Sequence, residues 1–492
     1  MDNNLTPAQS PSSPVGEEYV PDPRRWRILS VILVAMFMSL VAVSIVNVVL
    51  PSIQVGLDAN ESDLQWVLSG YALTFGVILV AAGRAGDLLG RAPLFIIGVA
   101  VFTLASVAAG LSPDPLSLNI ARFIQGVGSG LLNPQGVGMI QQYFRGKERG
   151  RAYGALGSVV GVSVAIGPLI GGFIIQLVGV NDGWRWTFLV NIPFGVLAIL
   201  LAFMWFPRPL FNKATPGAAK PDRDLDPVGT ILLGAAVLAL LFPFVERTSG
   251  SLIWGLVPFG GILLATWVWW EQRYKTRGRS PMVDIAIFKT NSFSVGTLIA
   301  GLYFLGITGV WVLIAMYIQN GLGHSALIAG TVGLPAAIMS AFTSAWAGNR
   351  VMVKGRKIII AGIISALIGL VTSVVVVQLV AATDLSYWWL AVTLSFIGMA
   401  QGLVITPNQT LTLADVPLEY SGSAGGILQT GQRIGTAMGL AIITGIAFSV
   451  LDKSDWTGAI SVGFGAISVI VVITLIVALL ELRDRKTQLQ KL

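Results

Sequence analysis

Cysteine is absent from the chain and histidine occurs once, at His324. That excludes disulfides, thiolate metal sites and cysteine nucleophiles. Charge is scarce as well, at 11% of residues, against about 25% in soluble domains. The 24 acidic residues fall in tails, in loops or at helix ends, with Glu246 and Glu271 at the margin. With no cysteine, no carboxylate pair inside an apolar run and no His/Asp/Glu cluster, the sequence argues against an intramembrane enzyme or a metal centre. No sizeable polar domain is present either, which argues against a non-transporting sensor.

What is abundant is apolar. Hydrophobic residues make up 54% of the 492 and mean hydropathy is +0.78. The 57 glycines and 23 prolines suit the same class, because both are commoner in membrane-spanning helices than in soluble ones. Fourteen windows reach the roughly 20 residues needed to cross a bilayer core of about 30 Å. They lie near 28–50, 63–83, 93–111, 116–140, 151–177, 187–206, 228–246, 252–270, 292–319, 325–347, 357–380, 386–411, 421–449 and 458–481. The expected fold is an all-α polytopic membrane protein.

Polar segments divide the chain. Residues 1–26 form a Pro- and Ser-rich tail without an apolar signal segment, so the first helix is expected to be an uncleaved anchor. Residues 27–206 form a six-helix half, 207–289 a linker and two inserted helices, 290–482 a second six-helix half, and 483–492 a tail. Placing both termini on one side puts all but five of the 31 lysines and arginines there. Arg185, Arg247 and Lys453 fall on the other side, and Arg122 and Arg433 lie within the membrane. Short cytoplasmic loops retain basic residues, so both termini are expected in the cytoplasm. The net charge of +7 is then a topology signal, with no nucleic-acid partner required.

The fourth helix carries Arg122, with Gln125 on the same face at i+3 and glycines at 126, 128 and 130. An arginine in this setting costs about 2.5–3.5 kcal/mol on insertion scales, so it faces the bundle interior. Two roles are open to it: handling a ligand or ion, or tying the helix to neighbouring carbonyls.

Gly83, Asp87, Gly90 and Arg91 lie in the loop after the second helix. They match the pattern G-x-L-x-D-R-x-G-R-K/R of the major facilitator superfamily, with Leu88 and Ala92 replacing two of its basic residues. Arg122-x-x-Gln125-Gly126 resembles that family's fourth-helix motif. Gly154, Gly167, Pro168, Gly171 and Gly172 resemble its antiporter motif, with Ser163 in place of one glycine. Three further stretches, 184–195, 281–288 and 422–435, narrow the resemblance to the fourteen-helix drug:proton antiporters. The resemblance covers about Trp26 to Leu482.

It implies a major facilitator fold with 14 transmembrane helices in a 6 + 2 + 6 layout, and a gating loop at 83–91 weakened by its missing charges. It also implies efflux of hydrophobic or amphipathic small molecules from a bacterial cytoplasm across the inner membrane. The remaining partners would be protons and membrane lipids. The chain is expected to be a monomer without cofactor.

One departure stands out. The family's first-helix aspartate, its usual site for protons or drug cations, is Ala42 here. With Arg122 and Arg433 inside and no midplane carboxylate, the cavity is expected to be electropositive and to favour anionic or zwitterionic amphiphiles. The competing expectation has both arginines neutralised by carbonyls or water and a cavity for neutral compounds. A further alternative is an uncoupled facilitator or exporter of an anionic metabolite or lipid. Asn47, Gln135, Tyr303, Trp311 and Asn408 are the candidate cavity residues. His324 is expected at the outer mouth.

Overall fold

The computed structural model describes residues 21–210, 225–245, 251–451 and 453–489, and every regular element among them is helical. The first half comprises α1 (Arg25–Leu57), α2 (Glu61–Leu89), α3 (Arg91–Gly110), α4 (Pro115–Tyr143), α5 (Gly146–Val178) and a broken span of α6 (Gly183–Leu189) and α7 (Asn191–Trp205). The inserted pair is α8 (Pro227–Val245) and α9 (Leu256–Thr276). The second half comprises α10 (Asn291–Met316), α11 (Ala326–Lys354), α12 (Arg356–Ala382), α13 (Trp389–Thr412), α14 (Ser421–Leu451) and α15 (Trp456–Leu489). Counting α6 and α7 together, the described residues form fourteen spans in 6 + 2 + 6 order.

Thirteen of these are long and apolar enough to cross a bilayer. The fourteenth, α4, has 29 residues but too little hydropathy, because its polar residues turn inward. Asn119, Arg122, Gln125, Ser129, Asn133, Gln135 and Gln141 are all buried. A window average cannot separate polar groups facing protein from polar groups facing lipid, and only the latter forbid insertion.

Local chemistry sets the ends. A reciprocal capping box between Asn60 and Asp63 opens α2, and another between Asp114 and Ser117 opens α4, with Pro115 in the first turn. α14 and α15 meet at the expected turn near 451–456. Several boundaries move. α1 carries Pro51 internally and runs on to Leu57, α11 runs on to Lys354, and α15 continues to Leu489 past the expected end at 482. The expected loop at 83–91 is largely helical: Gly83 and Asp87 lie in the last two turns of α2, Arg91 opens α3, and Gly90 alone separates the two helices. Residues 1–20, most of the 207–225 linker, Glu246 and Arg247 lie outside the described residues.

Two large apolar clusters hold the bundle. One is built around Met36, Phe75, Phe95 and Phe102 of the first half and also takes in Phe293, Leu413, Ala424 and Leu428 of the second, and the other lies within the second half around Ile307, Ile363, Leu394 and Phe464. The inserted pair joins the first of these through Leu233, Val237, Leu241 and Trp267. α8 packs on both α2 and α14, so it lies across one seam between the halves. The other seam is formed by α5 and α11.

Candidate functional site

Three adjoining cavities lie between the halves. The central one, about 260 Å³, is bounded by α1, α4, α5, α10, α13 and α14, and its polar lining includes Asn133, Gln409, Gln429, Gln432 and Arg433. It shares Ser44 and Val164 with a cavity of about 330 Å³ towards the end opposite the termini, which Asn47, Pro168, Trp311 and Gln319 line. It shares Arg433 and Thr436 with a third, about 460 Å³, walled by α2, α8 and α14. Val164 is 46% exposed and Asn47 is exposed, so the chamber is accessible on that side.

At the end that carries the termini the halves are sealed. Gly90, whose φ of 107° suits a residue without Cβ, turns the chain from α2 into α3. Just before it, the Asp87 carboxylate accepts 3.0 Å bonds from the backbone N–H of Gly422, the backbone N–H of Ser423 and the Ser423 hydroxyl. This places an anion at the N-terminus of α14, where unpaired N–H groups and the helix dipole favour it. Arg91 lies 2.8 Å from Asp87 and also donates to the Leu418 carbonyl and to Ser421 Oγ, at 2.8 and 2.7 Å. The latch thus forms without basic side chains at Leu88 and Ala92.

Beside it, a Cβ on Gly83 would land on the Gly422 carbonyl, and one on Gly422 would land near the Gly83 carbonyl. The α5–α11 seam repeats this reciprocity. A Cβ on Gly150 would strike the Gly348 carbonyl, and one on Gly348 the Gly150 carbonyl. Arg149 and Arg151 add bonds across the same end to the Ala414 carbonyl (3.4 Å) and Asn349 (3.0 Å).

The antiporter-motif residues sit along α5. Gly154 packs on α11 near the Ser344 carbonyl and Gly348, Gly167 lies against Ser44, and Gly171 against Ile45. Gly172 has nothing within 4 Å, while Pro168 lines the outer cavity. Ser163, the departure from the motif, is buried and accepts a 3.0 Å bond at its carbonyl from Ser44 Oγ.

Arg122 does not line any of these cavities. It is 1% exposed, donates to the Val67 carbonyl at 2.8 Å and to Gln125 Oε1 at 2.6 Å, and stacks 4.4 Å over the Tyr71 ring. Gln125 donates onward to Ser106 Oγ at 2.7 Å. In this conformation it ties helices together. Arg433 behaves differently: it lines two cavities, with its guanidinium 4.4 Å above the Phe75 ring. The positive charge expected from two arginines therefore comes from one.

Ala42, at the family's aspartate position, is 1% exposed in the apolar core. One turn earlier Ser39, Tyr71 and Ser129 form a buried hydroxyl trio, with Tyr71 Oη 2.6 Å from Ser129 Oγ and Ser39 Oγ 2.8 Å from the same atom.

Of the five candidate cavity residues, Asn47 and Trp311 line the outer cavity. The other three sit inside the halves. Gln135 donates to the Ala82 carbonyl at 2.7 Å, Tyr303 is fully buried in the second core, and Asn408 accepts from Arg356 at 2.6 Å. His324 packs against Tyr387 with ring centroids 4.4 Å apart and planes tilted by 44°.

Two arrangements were not legible in sequence. Arg356 and Glu481, placed in a loop and at a helix end, form a buried ion pair 2.8 Å apart, with side chains 1% and 0% exposed. Asp226 and Glu271 are both buried at the sealed end, where oxygens of both carboxylates converge on Gly229, and Trp270 Nε1 donates to Asp226 at 2.9 Å. The sequence hint was Gly229 itself, the small residue that lets the two approach.

Comparison with known proteins gives a consistent picture. The model of the Major Facilitator Superfamily matches residues 32–440. The probable actinorhodin transporter of Streptomyces coelicolor is 32% identical over 458 residues, covering 91% of this chain and 77% of that protein. The puromycin resistance protein pur8 of Streptomyces alboniger is 31% identical over 434 residues, covering 87% and 82%. Among solved structures, the proton:xylose symporter XylE matches with a TM-score of 0.63 at 16% identity, covering 92% of this chain and 94% of that one. At that identity the likeness shows the fold alone.

Proposed function

We propose, from the premise that this chain belongs to the major facilitator superfamily of transporters, that it exports hydrophobic or amphipathic small molecules from the cytoplasm by alternating access, in exchange for protons. The observation that carries the reading is the asymmetry of the chamber: largely apolar walls, open towards the end away from the termini and closed at the other by Asp87, Arg91 and the paired glycines. With both termini in the cytoplasm, as the basic residues suggest, the closed end faces the cell interior and the conformation is the one that releases substrate outward. Rocking the halves apart at the latch would expose the same chamber to the cytoplasm. The relatives named above, one called an actinorhodin transporter and one a puromycin resistance protein, support export of a small molecule as the direction of work. The antiporter-like α5 supports protons as the exchanged ion.

The test uses inverted membrane vesicles energised with an acid interior, supplied with ethidium or with puromycin. The expected result is accumulation that an uncoupler abolishes, with each substrate partly dissipating the pH gradient. Accumulation of neither of these, nor of the anionic amphiphile anthracene-9-carboxylate, would sink the export reading. Accumulation without dissipation would remove the proton exchange and leave export.

A further inference from the structure

We infer that the transported compound is an amphiphile with a carboxylate, sulfonate or similar anionic group. The anion pairs with Arg433, and the apolar body lodges beneath α8 in the chamber between α2 and α14. This rests on the export reading and gives it a substrate class and a binding site.

Arg433 stands where the central cavity and the α2/α8/α14 cavity meet, lining both. Among the described residues that line the three cavities it is the one charged group, and no carboxylate faces it there. Its described partner is the face of Phe75 at 4.4 Å, a contact that attracts a cation without neutralising it. A guanidinium presents five donors in a rigid fork that suits a planar anion. In an apolar chamber its field is weakly screened, so an anion is drawn to it strongly. Arg122 shows the contrast, since its donors are committed to Val67 and Gln125.

The adjoining chamber supplies the other half of the ligand's chemistry. Leu68, Leu73, Leu241, Phe244 and Leu440 make it largely apolar, and its volume of about 460 Å³ lies within the roughly 300–1,000 Å³ of small-molecule sites. Leu241 and Phe244 come from α8. α8 therefore walls the binding site in addition to covering the α2–α14 seam.

The experiment measures equilibrium binding of two probes to the full-length protein in nanodiscs: anthracene-9-carboxylate and the neutral 9-anthracenemethanol. The wild type should prefer the carboxylate. Arg433→Gln should weaken the carboxylate by about 10- to 100-fold, the size of a lost charge-assisted contact, and leave the alcohol unchanged. Arg433→Lys, which keeps the charge, should retain part of the preference and guards against misfolding of the glutamine variant. Leu241→Trp, which fills the chamber, should weaken both probes. If the wild type shows no preference for the carboxylate, or Arg433→Gln weakens both probes alike or neither, the anion anchor is overturned. If Leu241→Trp changes neither, the chamber beneath α8 is not where the apolar body sits. Binding is read without any gradient, so its failure alongside intact ethidium export would remove this inference and leave the export reading standing.

Discussion

Replacing Asp87 with asparagine perturbs the latch at its centre while keeping the shape of the side chain. The wild-type carboxylate accepts three bonds of 3.0 Å from the start of α14 and holds Arg91 at 2.8 Å. Asparagine retains one acceptor oxygen, loses the charge, and leaves the bonds to Ser423 facing an NH₂ donor. Charge-assisted bonds contribute about 1.5–3 kcal/mol each, and part of that returns through water once the seam loosens. A loss of about 2 kcal/mol to the sealed state is a conservative figure, equal to about a 30-fold change in the equilibrium. A transporter sealed about 99 times in 100 would then be sealed about three times in four.

The absence of native cysteine makes the assay direct. Spin labels introduced by Lys147→Cys and Lys354→Cys would sit on exposed positions at the start of α5 and the end of α11, across the sealed end. Double electron–electron resonance should show one short separation in the wild type and a second, longer population of roughly a quarter in Asp87→Asn. An unchanged distance distribution in a folded Asp87→Asn protein would refute the claim that this carboxylate holds the end closed.

Three further outcomes follow from the same geometry. Gly348→Val sets side-chain carbons against the Gly150 carbonyl and Gly154, so it should abolish vesicle transport and give the long label separation even with Asp87 intact. Arg356→Met removes the cation 2.8 Å from the buried Glu481 carboxylate and should cost about 3–5 kcal/mol, read as a lowered thermal midpoint in detergent, while Arg356→Met combined with Glu481→Leu should recover much of it. Arg122→Gln loses the bond that the guanidinium donates to the Val67 carbonyl and should cost about 1–3 kcal/mol. Because Arg122 lines none of the cavities, that variant should leave the preference between anthracene-9-carboxylate and 9-anthracenemethanol unaltered, and a changed preference would contradict its placement.

The span layout was legible because it depends on local composition. Apolar runs of bilayer length separated by basic or polar segments specify helices wherever they occur. That Gln125 shares the face of Arg122 was legible as well from the i,i+3 spacing, and the structure bonds the two. Partners distant in sequence were not. Asp87 is a recognisable latch residue, but nothing near it says that its donors are Gly422 and Ser423. The direction a polar side chain takes inside the bundle was equally hidden. Gln135, Asn408 and Arg433 all read as polar groups in apolar helices, yet the first two turn into their own halves, where Gln135 donates to Ala82 and Asn408 to Gly296, and of the three only Arg433 reaches a cavity. Hydropathy reports that such a residue must avoid lipid, and helix packing decides which neighbour it meets.

The reciprocal glycines bear on how such a transporter evolves. At both seams of the closed end much of the fit is between backbone and backbone, since Gly83 meets Gly422 and Gly150 meets Gly348 with no side chain between them. The chamber walls are made instead of leucine, valine, glutamine and phenylalanine side chains. Substitutions that retune which compounds fit can therefore accumulate in the walls without touching the seal. Any side chain added at the four glycines acts on closure whatever the cargo. Cargo range and the mechanics of closing are thus separately heritable traits, and a lineage facing a new toxic compound can alter the first while keeping the second.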